Sequence, residues 1–150
     1  MAVLNILKEQ NPQDNETLRK KSRPVDGITP RIHTLLDDMH ETLVKAEGIG
    51  LAAPQVGVLR RIVIVEIGED KFEMINPEII ESSGEQEEIE GCLSVPDLAG
   101  LVKRPAYVKV RALDRNGKEY TAEGTGLLAR CFCHELDHLD GVLCFPCSLP

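Results

Sequence analysis

Two short segments, far apart in the chain, constrain its fold more than any other feature. The first is EGCLS at Glu90–Ser94, and the second is HELDH at His134–His138. The second has the pattern H-E-x-x-H. Residues four apart share one face of a helix, so His134 and His138 can bind one metal ion, with Glu135 beside it to take a proton from water. The pattern predicts a helix that carries the metal site of a hydrolase.

The residues around the second segment are too apolar for a helix that faces solvent. They include Leu127, Leu128, Cys131, Leu136 and Leu139. Two histidines and a glutamate inside such a helix need polar partners, because an unpaired polar group is costly to bury. A metal ion supplies one. The alternative, a surface helix with two solvated histidines, is disfavoured by these flanks.

The chain has five cysteines, an odd count that fits a reducing compartment in which thiols act as ligands or core residues. Cys92 is the best third ligand, since it lies on a turn after a glycine, and the fourth position then stays open for water. Cys131 lies about one turn from the histidines and is expected to be a buried thiol. Cys133 points to another face. Cys144 and Cys147 form a C-x-x-C, which stays open as a less favoured ligand pair or redox motif.

The composition predicts one folded domain over residues 1–150. The chain is 42% hydrophobic and has a net charge of −8. It contains no stretch of about 18 apolar residues, and its start lacks the pattern of a signal peptide. We therefore expect a cytoplasmic protein with no membrane contact. The negative charge disfavours a direct nucleic-acid function, because such domains usually carry a basic patch.

Local patterns predict a mixture of helices and strands. Residues 1–27 read as irregular, and Thr29-Pro30 begins a helix over about residues 30–46. A second helix is predicted over about residues 126–140, stopped by Gly141. Strands are predicted at Ile62–Ile67, Phe72–Ile75, Glu78–Glu81, Val108–Asp114 and Lys118–Glu123, the last two joined by an Asn116-Gly117 turn. This set of elements predicts an α+β domain.

Two further segments have no clear periodicity. The glutamate-rich stretch Gly84–Glu90 is expected to be a solvated loop or edge. The run Gly48–Gly57, with sequence GIGLAAPQVG, is dense in small residues, which let backbone approach another group closely. Composition alone favours a tight connector packed in the core for this run. Gln55 is its one polar side chain and needs a partner.

Three segments together resemble the three motifs of peptide deformylases. They are GIGLAAPQVG at Gly48–Gly57, EGCLSVP at Glu90–Pro96 and HELDHL at His134–Leu139. Their order and separations also fit, and the resemblance extends from about Leu4 to Leu143. It implies a bacterial enzyme that removes the N-formyl group from the first methionine of nascent proteins. It also implies strands packed around the metal-binding helix, and it leaves open a contact with the ribosome near the exit tunnel.

The resemblance assigns a role to each matching residue. The metal ligands would be Cys92, His134 and His138, and the catalytic groups would be Glu135 as general acid/base with the Gln55 side chain and the Leu93 N–H at the oxyanion. The substrate would be contacted by Ile49, Gly50, Gly91, Arg104, Leu127 and Cys131. Close packing at Gly48, Gly50 and Gly91 would exclude an acyl group larger than formyl. The expected cofactor is one divalent metal ion, Fe²⁺ first, with Zn²⁺ or Ni²⁺ able to take the site.

Two other functions use parts of the same pattern. A zinc endopeptidase also carries H-E-x-x-H, but it usually takes a third ligand downstream, and the 12 residues after His138 contain no Glu or His. A binding protein with a structural zinc ion would close the fourth coordination position, which gives no reason for Glu135 beside His134. Cys133 departs from the deformylase pattern, in which Gln is expected before the first histidine.

Overall fold

The computed structural model describes residues 2–143, apart from the side chain of Asp97, and these residues form helices and antiparallel strands. The helices are α1 at Pro12–Leu18, α2 at Pro30–Lys45 and α3 at Gly126–Leu139, with a short 3-10 helix at Ala53–Val56. The strands are β1 at Gly50–Ala52, β2 at Ile62–Ile67, β3 at Asp70–Ser83, β4 at Gln86–Cys92, β5 at Val95–Arg104, β6 at Tyr107–Leu113 and β7 at Glu119–Thr125. The predicted α+β class is confirmed.

The strands form two antiparallel sheets. Five of them follow the order β1-β2-β3-β6-β7, and β4 pairs with β5 in a separate two-stranded sheet. In the smaller sheet Cys92 pairs with Val95, so Leu93 and Ser94 form the turn between its strands. This turn lies within the EGCLS segment, so the small sheet carries the predicted cysteine ligand at its tip.

The two long helices begin and end close to the predicted residues. The Thr29 side chain caps α2 by accepting the Ile32 N–H, with Pro30 in the first turn. Helix α3 ends before Gly141, which has a positive φ of 76°. The expectation that residues 1–27 are irregular is wrong, because α1 lies among them. That helix is short and buries only Leu18, so it leaves no apolar periodicity in the sequence.

The two separate strands predicted at Phe72–Ile75 and Glu78–Glu81 are one strand, β3. The predictions of β2 and of the β6–β7 hairpin are confirmed. Strand β3 runs without a break through Asn76, where a shift of register absorbs the irregular backbone. The Asn76 side chain holds the Val25 backbone there, accepting its N–H at 2.8 Å and donating to its carbonyl at 2.9 Å. The glutamate-rich stretch forms much of β4. Glu87 and Glu88 are solvated as expected, but Glu90 is buried.

Strand β2 divides the core into two layers. Val63 and Val65 face the layer that contains α3, and Ile62 and Ile64 face the layer that contains α2. Successive side chains of a strand point to opposite faces, so a strand covered on both sides is a continuous apolar run. In the α3 layer Phe132 packs edge-on against Phe72, with ring centroids 5.2 Å apart. The H-E-x-x-H helix is therefore enclosed by the large sheet on one side and the small sheet on the other.

None of the helices within residues 2–143 is both long enough and apolar enough to span a bilayer.

Candidate metal centre and active site

Three donor atoms converge where the tip of the small sheet meets α3. Cys92 Sγ lies 3.4 Å from His138 Nε2, which lies 3.3 Å from His134 Nε2. All three donor atoms fall within 4.8 Å of one another, and among the described residues this is the group of donors that can share a metal ion. One thiolate and two imidazoles are ligands that suit zinc or iron.

The burial of these donors is consistent with a bound cation. His138 is 1% exposed, and its Nδ1 has no hydrogen-bond partner among the described residues. Burial lowers the pKa of His138 well below its ordinary value, which keeps the imidazole neutral, the form that binds metal. Three buried atoms that each carry a lone pair cannot all hydrogen-bond to one another, whereas one cation can bind the lone pairs of all three. The residues present therefore fit the metal site that the sequence predicts.

Glu90, just before the cysteine loop, joins His134 of the donor cluster to two arginines. Its Oε1 lies 3.0 Å from His134 Nδ1, and both of its oxygens accept from Arg104, at 3.0 and 3.1 Å. Arg130 Nη2 also lies 2.6 Å from Oε2 of the same carboxylate. Burial alone would raise the pKa of Glu90, but the hydrogen bonds from His134 and Arg104 lower it to about 2. Glu90 is therefore a carboxylate that orients His134.

Arg104 lies in this network rather than at the surface of the cavity. Its Nη1 lies 2.5 Å from Asp137 Oδ2, and its side chain is 9% exposed. Hydrogen bonds to Glu90 and Asp137 outweigh burial and raise the pKa of the guanidinium. The residues that line the cavity within the described chain do not include Arg104. Two carboxylates hold its charged end, and the expected contact between Arg104 and substrate stays a prediction.

Glu135 projects from α3 toward the glycine-rich segment. It is 4% exposed, and its Oε1 has no hydrogen-bond partner among the described residues. A Cβ built on Gly50 would lie 2.5 Å from Glu135 Oε2 and 2.8 Å from Cys131 Sγ, so any larger residue would force one of these side chains to move. Burial raises the pKa of Glu135 to about 7. Glu135 is thus enclosed beside the cavity that it lines, and one of its acceptor oxygens is unused.

The Gln55 side chain joins the glycine-rich segment to the cysteine loop. Its Oε1 accepts the Ala52 N–H at 2.9 Å, and its Nε2 donates to Ser94 Oγ at 3.2 Å and toward Cys92 Sγ at 3.7 Å. Gln55 is 1% exposed. Leu51 to Ala53 are fully buried, so the segment is packed in the core, as its composition favours. It also brings the Gln55 amide to the metal donors, which gives that amide the partner it needs.

A cavity of about 580 Å³ opens beside the three metal donors. Of the residues expected to contact substrate, it is lined by Ile49, Gly50, Gly91, Leu127 and Cys131. The lining also includes Leu93 and Gln55. A Cβ on Gly91 would meet just the Leu98 carbonyl at 3.9 Å, an ordinary contact, so packing within the protein does not require glycine there. The expected close packing of Gly91 against the acyl group stays a prediction. The tight positions are Gly48 and Gly50.

The other cysteines take no part in the donor cluster where the structure describes them. Burial raises the pKa of Cys131, whose thiol lies 3.8 Å from the Ile49 carbonyl, as a buried thiol at the edge of the site would. Cys133 is also buried, and burial raises its pKa. Cys144 and Cys147, the alternative ligand pair, lie outside the described residues.

Sequence reasoning overlooked three residues with long-range contacts. Glu90 and Arg130 join the small sheet to α3, and Lys8 Nζ donates to the Leu93 carbonyl. A signal for Glu90 was present, since it belongs to the EGCLS motif and precedes the cysteine by two residues. Arg130 carried a weaker one, as a charged residue inside an otherwise apolar helix. Lys8 carried none, because a lysine in an irregular segment near the N-terminus is ordinary.

An H-E-x-x-H helix completed by a cysteine from a neighbouring sheet, beside an open cavity, defines a metal-dependent hydrolase of α+β fold. The sequence model of the polypeptide deformylase family matches residues 3–147. The chain therefore belongs to the polypeptide deformylase family.

Individual relatives agree with this assignment. The chain is 58% identical over 130 residues to the peptide deformylase of Alkaliphilus metalliredigens, covering 87% of this chain and 88% of that protein. The crystal structure of a peptide deformylase from Legionella pneumophila superposes with a TM-score of 0.89 at 44% identity, covering 95% of this chain and 83% of the other. The crystal structure of the peptide deformylase from Thermus thermophilus superposes with a TM-score of 0.90 at 39% identity, and the match covers 99% of this chain and 86% of the other.

Proposed function

We propose that this protein is a peptide deformylase, which removes the N-formyl group from the N-terminal methionine of nascent proteins. One observation carries the proposal: the donor cluster of Cys92, His134 and His138 lies beside a cavity into which Glu135 and Gln55 also project. The hydrolysis of a formyl amide needs an activated water, a group that moves its proton, and donors for the developing oxyanion. This chain has residues for each task.

Cys92, His134 and His138 would hold one divalent metal ion. Bound there, the ion would supply a Lewis acid that polarises the formyl oxygen and brings the pKa of water toward neutrality. We assign Fe²⁺ as the native metal, with Zn²⁺ and Ni²⁺ as the other ions that the site accepts. The Cys92 thiolate donates more charge than a carboxylate ligand would, which suits these metals.

Glu135 would move the proton in both halves of the reaction. Its carboxylate accepts a proton from the attacking water and passes it to the leaving amine. The unpaired Oε1 is the group that can accept it, since that oxygen has no partner among the described residues. The packing of Oε2 against Gly50 limits the motion of the carboxylate, so little reorganisation is needed as the reaction proceeds.

Gln55 and Leu93 would stabilise the oxyanion. The Gln55 amide is held at its carbonyl end by the Ala52 N–H, which leaves the NH₂ group directed at the cysteine loop. Leu93 lies in the turn that follows Cys92 and lines the cavity. Donors fixed before the reaction stabilise developing charge without a cost of reorganisation at that moment.

The remaining cavity residues would bind the formyl-Met peptide. Backbone groups of Ile49, Gly50 and Gly91 would contact its main chain as an added strand does, and Leu127 and Cys131 would contribute to the methionine pocket. A Cβ on Gly48 would lie 2.9 Å from both Leu43 and Leu93, and the clash at Gly50 is tighter still, so glycine at these positions lets the surrounding side chains pack closely. We propose that the acyl site beside them accepts formyl and excludes larger groups. For Arg104 we now propose an indirect role, through Glu90.

Two alternatives use the same helix and are less well supported. In an H-E-x-x-H endopeptidase the third ligand usually lies downstream of the helix, whereas here the third donor, Cys92, comes from a loop that precedes it. In a structural zinc site the ligands are closed off, whereas here two of the three donor residues, Cys92 and His134, line an open cavity.

The test is a comparison of three rates with one anaerobically purified preparation of known metal content. We expect rapid deformylation of formyl-Met peptides, far slower deacetylation of acetyl-Met peptides and no cleavage of internal bonds. A deacetylation rate comparable to deformylation would contradict the tight acyl site. Faster internal cleavage would place the chain among the endopeptidases. Metal analysis of the same preparation identifies the ion.

Nascent chains as substrates place the proposed activity in the bacterial cytoplasm, near the ribosomal exit tunnel. The net charge of −8 argues against broad contact with ribosomal RNA, so any docking would use a local surface. Co-sedimentation with translating and with empty ribosomes, at low and physiological salt, tests this placement. Recovery in the supernatant in all four cases would contradict docking and leave the enzymatic proposal intact.

A further inference from the structure

The segment Leu7–Glu9, which precedes α1, connects the two parts of the chain that carry the proposed oxyanion donors. The Leu7 N–H donates to the Gln55 carbonyl at 2.7 Å, and the Glu9 N–H donates to the Ser94 carbonyl at 2.8 Å. One side of the segment therefore holds the 3-10 helix that carries Gln55. The other side holds the turn that carries Leu93.

Helix α1 fixes this segment from behind. The Lys8 N–H donates to Asp14 Oδ2 at 3.0 Å, and Asn15 Nδ2 donates to the Glu9 carbonyl at 3.0 Å. Asn11 caps the same helix by accepting from the Gln13 and Asp14 N–H groups. These contacts give the segment a rigid support, so the position of Lys8 relative to the cavity is set by α1 rather than by an unsupported N-terminus.

The Lys8 side chain reaches from this support to the proposed oxyanion site. Its Nζ donates to the Leu93 carbonyl at 3.1 Å, and Lys8 is among the residues that line the cavity. Leu93 belongs to a turn, where the peptide planes are not fixed by a ladder of strand hydrogen bonds. A charge-assisted hydrogen bond is stronger than a neutral one and restricts the rotation of the residue it binds.

We propose that Lys8 is a positioning residue for the oxyanion site: it holds the Leu93 carbonyl, and with it the Leu93–Ser94 peptide plane, and so restrains the turn that carries the Leu93 N–H. This inference rests on the proposed deformylase function. Lys8 makes no contact with the metal donors in the hydrogen bonds that the structure shows for it. Its effect is therefore expected on the transition state, where the oxyanion forms, and not on metal binding.

The test compares Lys8→Met, which removes the ammonium, with Lys8→Arg, which keeps a cation, and with Lys21→Met. Lys21 is exposed and lies beyond α1, so its substitution is a matched loss of charge. We expect Lys8→Met to lower kcat about 10-fold with KM changed by less than about 2-fold, below the loss for a whole oxyanion donor. Lys8→Arg should recover most of the rate, and Lys21→Met should match the unaltered protein.

A second measurement separates this inference from the proposed function. Hydrogen exchange of the Leu93 and Ser94 amides should be faster in Lys8→Met than in the unaltered protein or Lys21→Met, with metal content and Tm unchanged. If the unaltered protein does not deformylate, the proposed function fails, and the exchange data still decide whether Lys8 orders the turn. Unchanged kcat with unchanged exchange would overturn the inference. A loss of metal or a fall in Tm of several degrees in Lys8→Met would also overturn it, because it would mark a general structural role.

Discussion

The Nδ1 atom of His134 lies 3.0 Å from Oε1 of Glu90, a residue 44 positions earlier in the chain. An Nδ1–H that donates to this carboxylate leaves the Nε2 lone pair directed toward Cys92 and His138, which is the tautomer a metal ligand requires. Arg104 and Arg130 hold the carboxylate in turn. The orientation of one proposed metal ligand is thus set by a buried network of charges that joins the small sheet to α3.

Replacement of Glu90 by Gln should weaken metal binding. The amide keeps the shape of the side chain but loses the charge that orients His134 and faces two arginines, so we expect metal affinity or turnover to fall by roughly 10- to 100-fold. Competition with a chelator, followed by metal analysis, measures this. Glu87→Gln is the control, because Glu87 lies on the same strand and is exposed. Equal metal affinity for both variants would contradict the role of Glu90.

The Glu135→Gln variant should bind metal normally and lose turnover. Gln cannot accept a proton from water, so we expect the rate to fall by at least about 10²-fold, the lower scale of general acid–base catalysis. The measurement is deformylation per bound metal ion. A metal-loaded variant with near-normal turnover would remove Glu135 from the mechanism.

Cys92→Ala should lose tight metal binding, since it removes one of the three proposed protein ligands. The combined change Cys144→Ser and Cys147→Ser should leave metal content and turnover almost unaltered. Metal analysis after gel filtration compares the two proteins. The reverse result, metal lost from the double variant and retained by Cys92→Ala, would make the C-x-x-C the ligand pair.

A methyl group at Gly50 should displace Glu135, the proposed general acid/base. Its Cβ would overlap Glu135 Oε2 at 2.5 Å and Cys131 Sγ at 2.8 Å, so one of these side chains must move. A shift of about 1 Å at a reacting group can cost on the order of 10²-fold in rate, and we expect a loss of that size in Gly50→Ala. The control is Gly27→Ala, where a Cβ would meet nothing within 4 Å. Normal kcat in Gly50→Ala would show that the contact does not constrain Glu135.

A cluster of charges on the far side of the large sheet should make stability depend on pH. His40 lies between Glu73 and Glu66, at 2.8 and 2.7 Å. The hydrogen bond to Glu73 is the largest cause that raises the pKa of His40 above its ordinary 6.5, and the Glu66 hydrogen bond adds to it against burial. Burial would raise the pKa of Glu73, but hydrogen bonds from Arg115 and His40 lower it to about 2.

The raised pKa of His40 fixes the sign of the effect. Its contribution to the free energy of unfolding is complete below pH 6.5 and is lost as the pH rises through the folded-state pKa. The contribution of Glu73 is present above pH 4.5 and is lost as the pH falls toward 2. Urea unfolding of His40→Gln should therefore show a loss of roughly 1 kcal/mol at about pH 6 and a smaller loss at about pH 9. An equal loss at both values would contradict a charged His40.

Sequence reasoning succeeded where the signal was local. The spacing of His134, Glu135 and His138 sets their arrangement on any helix, and the caps at Thr29 and Gly141 mark where helices begin and end. It failed at α1, whose single buried residue leaves no periodicity, and at β3, where Asn76 continues the strand through contacts with Val25. At β3 tertiary contacts, rather than local propensity, decide the backbone, whereas α1 begins at a local signal, the Asn11 cap followed by Pro12, that the sequence analysis did not use.

The sequence by itself determined the kind of site: two histidines and a glutamate on one helix, a cysteine in a second motif and an amide in a third, which together point to a deformylase. Tertiary structure alone decided how these groups are held. It placed Arg104 on Glu90 and Asp137 instead of the cavity, and Lys8 on Leu93. The physical reason is that periodicity and motif spacing report the geometry within one element, whereas the partner of a buried charge is chosen by which distant elements pack together.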